Sequence, residues 1–143
     1  MSPIMANGRT ISRDPRQVTD HLGGCLCGAV RFRVSGPPKW TAFCHCESCR
    51  KHTGAPVSAY AGYENPVVAF VFGLPTYFES SPGVRRGFCA ICGSTLTFEG
   101  DRWPGETHFH VGAFDAPEDF APQGEAFPEE RLSWLHIQGG EAT

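Results

Sequence analysis

Long apolar runs are absent from this sequence, which has 143 residues. No stretch approaches the roughly 18 consecutive apolar residues that cross a bilayer as a helix, so we expect no membrane-spanning segment. Residues 1–20 contain arginines but lack the apolar core of a secretory signal. We therefore expect a cytoplasmic protein, and its length suits one domain around its own core.

An excess of basic residues is absent too, since 15 Asp and Glu residues outnumber 12 Lys and Arg residues. The formal net charge is −3, and a protein with this balance has no general attraction for nucleic acid. We expect no nucleic-acid partner. One local basic cluster, Arg50-Lys51-His52, interrupts this pattern.

Cysteine, by contrast, is abundant and grouped. Seven cysteines cannot pair completely as disulfides, and clustered cysteines in a reducing compartment are more often metal ligands. Cysteines that are merely buried would not follow CxC, CxCxxC and CxxC spacings, so the spacing predicts metal binding. The groups are Cys25 with Cys27, Cys44 with Cys46 and Cys49, and Cys89 with Cys92.

The numbers of thiols in these groups predict two different zinc sites. Three thiolates from one tight turn leave the fourth tetrahedral corner open, which distinguishes catalytic zinc sites from closed structural ones. The remaining four thiolates suffice for one closed site. We therefore predict two Zn²⁺ per chain, a catalytic one on Cys44, Cys46 and Cys49 and a structural one on Cys25, Cys27, Cys89 and Cys92.

Short alternating segments separated by glycine and proline predict a mainly β protein. Val30, Phe32 and Val34 alternate with arginines, as in a half-buried strand. We predict a flexible arm over 1–22, one zinc domain over 23–138 and a tail over 139–143. Further strands are predicted over 57–60, 67–72 (a central strand), 76–80, 84–88, 95–99 and 107–114, one helical turn over 47–52, and a helix from Pro128 to Leu135 with Trp134 anchored in the core.

Several charged side chains are candidates for binding substrate. Arg50 and Lys51 directly follow the third cysteine of the turn and suit a substrate carboxylate, although a solvated turn is the more common explanation of such residues. His108 and His110 share one face of a predicted strand, where they either line a substrate cleft or form a solvated or hydrogen-bonded pair. Arg85 and Arg86 are further candidates for the same role, although arginines on a strand are more often surface charges.

His45 lies between two predicted zinc ligands. Its imidazole is a possible fourth ligand that would close the site. Because both sequence neighbours are already ligands, we expect the ring to point elsewhere, which keeps the fourth position open.

Three segments occur in a specific order: residues 24–32 (GCLCGAVRF), 44–50 (CHCESCR) and 88–94 (FCAICGS). In this combination the chain resembles the glutathione-dependent formaldehyde-activating enzyme family, whose domain is shared with a centromere-associated protein family. The resemblance covers residues 23–134. It implies a β-tent of small coiled antiparallel sheets around two zinc sites, with the structural and catalytic ligands named above. One departure is that residues 124–127 lack a histidine that is frequent there in the family.

The resemblance also implies an activity, the joining of glutathione and formaldehyde into S-(hydroxymethyl)glutathione, which is carbon–sulfur lyase chemistry in reverse. In one version the substrate sulfur fills the open zinc position, is held as a thiolate and adds to the aldehyde carbon. In another version the zinc ion acts as a Lewis acid and polarises the aldehyde oxygen. Three thiolates weaken the Lewis acidity of the zinc ion, which favours the first version. Two alternatives stay open: a non-catalytic zinc-stabilised binding module, and a lyase or hydrolase of another sulfur metabolite.

Overall fold

The computed structural model describes residues 4–6, 9–11 and 19–137. These residues form short strands, mostly antiparallel, in three small sheets, which confirms the predicted mainly β fold. The strands are β1 (Ile4–Ala6), β2 (Arg9–Ile11), β3 (Asp20–Gly24), β4 (Arg31–Ser35), β5 (Trp40–Cys44), β6 (Ser58–Glu64), β7 (Val68–Phe72), β8 (Thr76–Ser81), β9 (Val84–Phe88), β10 (Thr95–Gly100), β11 (Glu106–His110) and β12 (Glu125–Ala126).

Helical structure in the described residues is short. The α-helix α1 spans Glu47–Thr53, one residue longer than the predicted turn. The 3₁₀ turns are Asn65–Val67, Val111–Ala113, Pro117–Phe120 and Pro128–Glu130. None of the helices in the part of the chain described here is long and apolar enough to span a bilayer.

The largest sheet has seven strands in the order β12-β5-β6-β11-β10-β9-β8. Its neighbours are antiparallel except for β12, which runs parallel to β5. The second sheet has the order β3-β4-β7, and β1 pairs with β2. The seven-stranded sheet thereby brings β5, which ends at Cys44, into one layer with β9, which leads to Cys89.

The main core lies between the two larger sheets. Phe32 and Val34 of β4 are fully buried and pack with Tyr63 of β6 and Phe109 of β11. Phe32 stacks on Phe109 with 4.3 Å between the ring centroids. Because side chains alternate along a strand, the neighbours of Tyr63 and Phe109 point to the opposite face of the seven-stranded sheet.

That opposite face carries the polar and aromatic residues of interest. The register places Tyr60 of β6 opposite both Ala42 and His110, and His108 opposite Phe98. Side chains alternate along β6 and β11, so one set packs in the core and the other set forms a second surface.

Three predicted elements differ in the structure. The segment over 67–72 was predicted as a central strand, which is wrong: β7 is an edge strand paired with β4, and Phe72 is 65% exposed. An apolar run does not require burial on both faces, because much of a folded surface is apolar. The strand predicted over 107–114 ends at His110, where the 3₁₀ turn at Val111 redirects the chain.

The predicted helix near the C-terminus is also wrong. A single 3₁₀ turn, Pro128–Glu130, forms after Phe127, whose left-handed backbone (φ 55°) ends the preceding strand. Trp134 is 65% exposed and does not anchor the core. The remaining predicted strands over 57–60, 76–80, 84–88 and 95–99 are confirmed within a few residues.

The domain boundaries stay a prediction. Strand β3 begins at Asp20, so the three-stranded sheet starts before the predicted boundary at residue 23. Residues 1–3, 7–8 and 12–18 of the predicted arm, and 138–143 at the C-terminus, lie outside the described residues.

Candidate functional site

The first cysteine cluster joins two loops that are distant in the sequence. Cys25 and Cys27 lie between β3 and β4, and Cys89 and Cys92 lie between β9 and β10. The four Sγ atoms all lie within 4.8 Å of one another. Four converging thiols fit a closed tetrahedral zinc site, and such a metal would tie the two larger sheets together.

Hydrogen bonds around this cluster lower the pKa of Cys25 and Cys92, whereas desolvation and the neighbouring thiols raise the pKa of Cys27 to about 11. The Val30 N–H donates to Cys25 Sγ at 3.2 Å, and the Ile91 N–H donates to Cys89 Sγ at 3.4 Å. The Ser94 hydroxyl lies 3.1 Å from Cys92 Sγ and, by hydrogen bonding, lowers the pKa of Cys92 to about 5. Deprotonated thiols are the form that binds zinc.

The second cluster occupies the turn between β5 and α1. Cys44 ends β5, Cys46 caps the helix by accepting the Cys49 N–H at 3.3 Å, and Cys49 is buried in the first turn. Their Sγ atoms also lie within 4.8 Å of one another. Among the described residues no fourth His, Cys, Asp or Glu joins them. The donor set therefore fits a zinc ion with one position left for another ligand.

The hydrogen bonds inside this cluster converge on Cys49. The Cys44 thiol donates to Cys49 Sγ at 3.6 Å, the Tyr60 hydroxyl lies 3.2 Å away, and Arg86 Nη1 donates at 3.5 Å. Hydrogen bonds from Cys44 and Cys46, followed by those from Tyr60 and Arg86, lower the pKa of Cys49. Of the three thiols, Cys49 is therefore the one whose deprotonated form its neighbours stabilise.

His45 is turned away from the thiols. Its ring is fully buried, and Nε2 lies 2.7 Å from Oε1 of Glu125 in β12. His45 is not part of the group formed by the three thiols, and its exclusion from the ligand set stays a prediction. The acidic partner occupies the segment that lacks the histidine common in the related family.

A cavity of about 660 Å³ opens directly onto the second cluster. All three of its thiols line the cavity, and so does the wall of aromatic rings on the outer face of the seven-stranded sheet. These rings pack against one another around His108, which is buried. The aromatic wall consists of Trp40, Tyr60, Phe98 and Trp103.

The two candidate histidines have different positions. His108 lines this cavity, and its Nε2 lies 2.9 Å from Glu106 Oε1; burial lowers the pKa of His108. His110 packs on Tyr60 with 4.4 Å between centroids and borders a second cavity of about 620 Å³. Burial lowers the pKa of His110 to about 4. Both rings are buried, so a solvated pair is wrong.

The predicted basic residues are arranged differently from the histidines. Arg50 and Lys51 lie in the last turn of α1, and neither lines the cavity with the three thiols. Arg85 is exposed and pairs with Glu99, as expected of a surface charge. Arg86 is 3% exposed and lines the cavity, so its interpretation as a surface charge is wrong.

A sequence signal for Arg86 exists. With a period of two, it falls on the same strand face as Val84 and Phe88, which is an apolar position. An arginine at an inward position requires a buried partner, and here that partner is Cys49.

A family model and one curated relative point to the same family. The family model of the glutathione-dependent formaldehyde-activating enzyme matches residues 20–130. A Halomonas elongata protein, provisionally named as such an enzyme, is 33% identical over 131 residues, which cover 83% of this chain and 82% of the relative. An uncharacterised lyase of Schizosaccharomyces pombe is 33% identical over 79 residues, 55% of this chain and 57% of its own length. A crystal structure of a Rhodobacter sphaeroides protein shares the fold, with a TM-score of 0.60 and 22% identity over 73% of this chain and 99% of that one.

Proposed function

The chain belongs to the glutathione-dependent formaldehyde-activating enzyme family, and on that premise we propose that it is a zinc-dependent carbon–sulfur lyase-type enzyme. The proposed reaction joins a small thiol such as glutathione to formaldehyde and gives S-(hydroxymethyl)glutathione or a related adduct. The observation that carries this proposal is the trio Cys44, Cys46 and Cys49 at the wall of a cavity, without a fourth ligand among the described residues.

A zinc ion held by these three thiolates would supply the positive charge that keeps a substrate thiol deprotonated at neutral pH. The chain's own part is to hold the three sulfurs rigidly. Cys44 is fixed by β5 and Cys49 by α1, and both are buried. Cys46 is less buried and lies at the helix N-cap.

The proposed addition is balanced without an external oxidant or reductant. The thiolate sulfur forms a bond to the carbonyl carbon, and the π-electron pair moves to the oxygen. That oxygen then takes up a proton equivalent to the one that the thiol released. Tyr60 stays protonated because burial raises its pKa, so its hydroxyl serves as a donor to Cys49.

The aromatic wall would exclude water from the reacting sulfur. Tyr60 and His108 are both buried, and the rings of Trp40 and Phe98 cover His108. Fewer waters around a thiolate strengthen its interaction with nearby positive charge. Of the residues predicted to bind substrate, we retain His108.

A carboxylate of the thiol substrate needs a cation near the cavity. We assign this role to Arg102, which is exposed, lines the cavity and lies over the Trp103 ring at 5.2 Å. Arg50 and Lys51 lie outside the cavity lining and are second choices.

The direct test follows the adduct by NMR with ¹³C-formaldehyde and glutathione. Wild-type protein should form S-(hydroxymethyl)glutathione faster than the spontaneous reaction. Cys46→Ser should lose this acceleration, whereas Glu79→Gln, an exposed change outside the cavity, should keep it. Wild-type protein that binds zinc but never exceeds the spontaneous rate would instead be a zinc-stabilised binding module.

A further inference from the structure

Arg86 is a buried cation with an unusual set of partners. Its Nη1 donates to Cys49 Sγ at 3.5 Å, and its Nε donates to Ser80 Oγ at 3.0 Å. The guanidinium carbon lies 5.1 Å from the centre of the Phe98 ring. A thiol, a hydroxyl and an aromatic face therefore surround a side chain that is 3% exposed.

None of these partners is a carboxylate. Among the ion pairs of the described residues, Arg86 has no acidic partner, whereas its neighbour Arg85 pairs with Glu99. Arginine stays charged in proteins, and burying a charge without a counter-charge is costly. The negative charge that compensates Arg86 must therefore come from the three-cysteine cluster.

The charge balance of the metal centre indicates what the contact between Arg86 and Cys49 does. Three thiolates and one Zn²⁺ carry a net charge of −1, and a substrate thiolate would raise it to −2. The free-energy cost of each further negative charge is greater in a cavity with an apolar wall than in water. A fixed guanidinium beside Cys49 offsets one of these charges.

We propose that Arg86 is the positioning residue that holds Cys49 toward the metal and offsets the charge which a substrate sulfur adds to the centre. This inference rests on the proposed function for the substrate part, and on the geometry alone for the metal part. Arg86 acts through Cys49, and the strand register opposite Phe98 fixes its place.

The test compares Arg86→Met, Arg86→Gln and Arg86→Lys with Arg85→Met as the matched control. Zinc affinity is measured by competition with a chromophoric chelator, and alkylation of each cysteine, mapped by mass spectrometry, identifies the site that loses metal. The neutral variants should bind zinc at the three-cysteine site about 10- to 100-fold more weakly, the size of effect typical of residues that orient metal ligands. Arg86→Lys should recover most of this loss, and Arg85→Met should match wild type.

Substrate binding is measured separately on Co²⁺-loaded protein, where glutathione perturbs the thiolate-to-metal absorption band. The neutral variants should show a raised apparent Kd for glutathione and a larger rise in KM than fall in kcat. Thermal unfolding of the metal-free variants shows whether each of them folds. If Arg86→Met does not fold, Arg86→Gln is the variant that decides the test.

The inference is overturned by neutral variants that match wild type in zinc and glutathione affinity, or by a lysine variant as weak as they are. Failure of the proposed function looks different. In that case wild-type protein would show no acceleration of adduct formation, while the dependence of zinc affinity on Arg86 would persist.

Discussion

The indole ring of Trp40 occupies the space that a side chain at Gly62, its partner on the neighbouring strand, would fill. A β-carbon at position 62 would lie 2.3 Å from Cε2 of the Trp40 indole, closer than real contacts allow. Because Gly62 has no side chain, the Trp40 ring fits in this position, where it forms one wall of the cavity beside the three thiols.

We expect Gly62→Ala to displace the Trp40 ring and raise the KM for the thiol substrate, with a stability loss of about 1–3 kcal/mol from overpacking. The measurement is steady-state kinetics together with urea unfolding. Gly112→Ala is the control, because a β-carbon there meets no atom within 4 Å. Equal KM values in Gly62→Ala and wild type would show that the indole position does not matter for the substrate.

His110 should make stability depend on pH. Its pKa is lowered to about 4 by burial, whereas an unfolded histidine titrates near 6.5. Above about pH 6.5 the ring is neutral in both states; below it, the unfolded chain takes up the proton first, so the free energy of unfolding falls. The loss from this residue should reach about 3 kcal/mol as the pH falls toward 4.

The measurement is urea unfolding of wild type and His110→Leu at several pH values between 7 and 4. Acid release of metal affects both proteins, so the difference between them isolates His110. Two curves with the same pH slope over this window would contradict the burial argument.

Cys92 should be needed for folding rather than for chemistry. Its thiol joins the loop after β9 to the loop after β3. We expect Cys92→Ala to lose one zinc and lower the Tm by roughly 10 °C or more, while Cys46→Ser keeps most of the stability. Metal analysis and calorimetry test this, with Ile91→Ala, an exposed side chain in the same loop, as a control that keeps all four thiols. A Cys92→Ala protein with unchanged Tm would refute a structural role.

Trp134 should contribute little to stability, contrary to its predicted core position. It is 65% exposed, whereas Phe32 is fully buried. We expect Trp134→Ala to change the free energy of unfolding by less than about 0.5 kcal/mol and Phe32→Ala to cost about 3–5 kcal/mol. Denaturant unfolding of the two variants provides the comparison, and comparable losses would indicate that Trp134 is packed in solution.

The cysteine clusters could be predicted from the sequence because ligands two or three residues apart cannot separate in space. Cys44, Cys46 and Cys49 needed only one turn to meet. Cys25 and Cys89 are 64 positions apart in the sequence. Their placement in one cluster was predicted by counting thiols and from the family resemblance, because no local pattern connects them. Alternation likewise predicted β10, because local periodicity determines which residues share a face, and the turn over 81–83 predicted β9 as the strand that runs back from it.

The environment of the site could not be predicted, because it depends on strand register across the sheet. His108 is buried because β11 lies between β6 and β10, an order that no local pattern contains. Arg86 lies beside Cys49 because β9 pairs with β10 and places Arg86 opposite Phe98. Burial of β7 was overestimated for the same reason, since an apolar segment does not reveal how many neighbours it will have.

The central claim is an unequal division of seven thiols between two zinc ions. Zinc X-ray absorption and anomalous diffraction from the purified protein test it most directly. We predict two ions, one bound by four cysteine sulfurs and the other by Cys44, Cys46 and Cys49 with a fourth ligand that the chain does not supply. A single ion, or four protein ligands at both positions, would contradict the account.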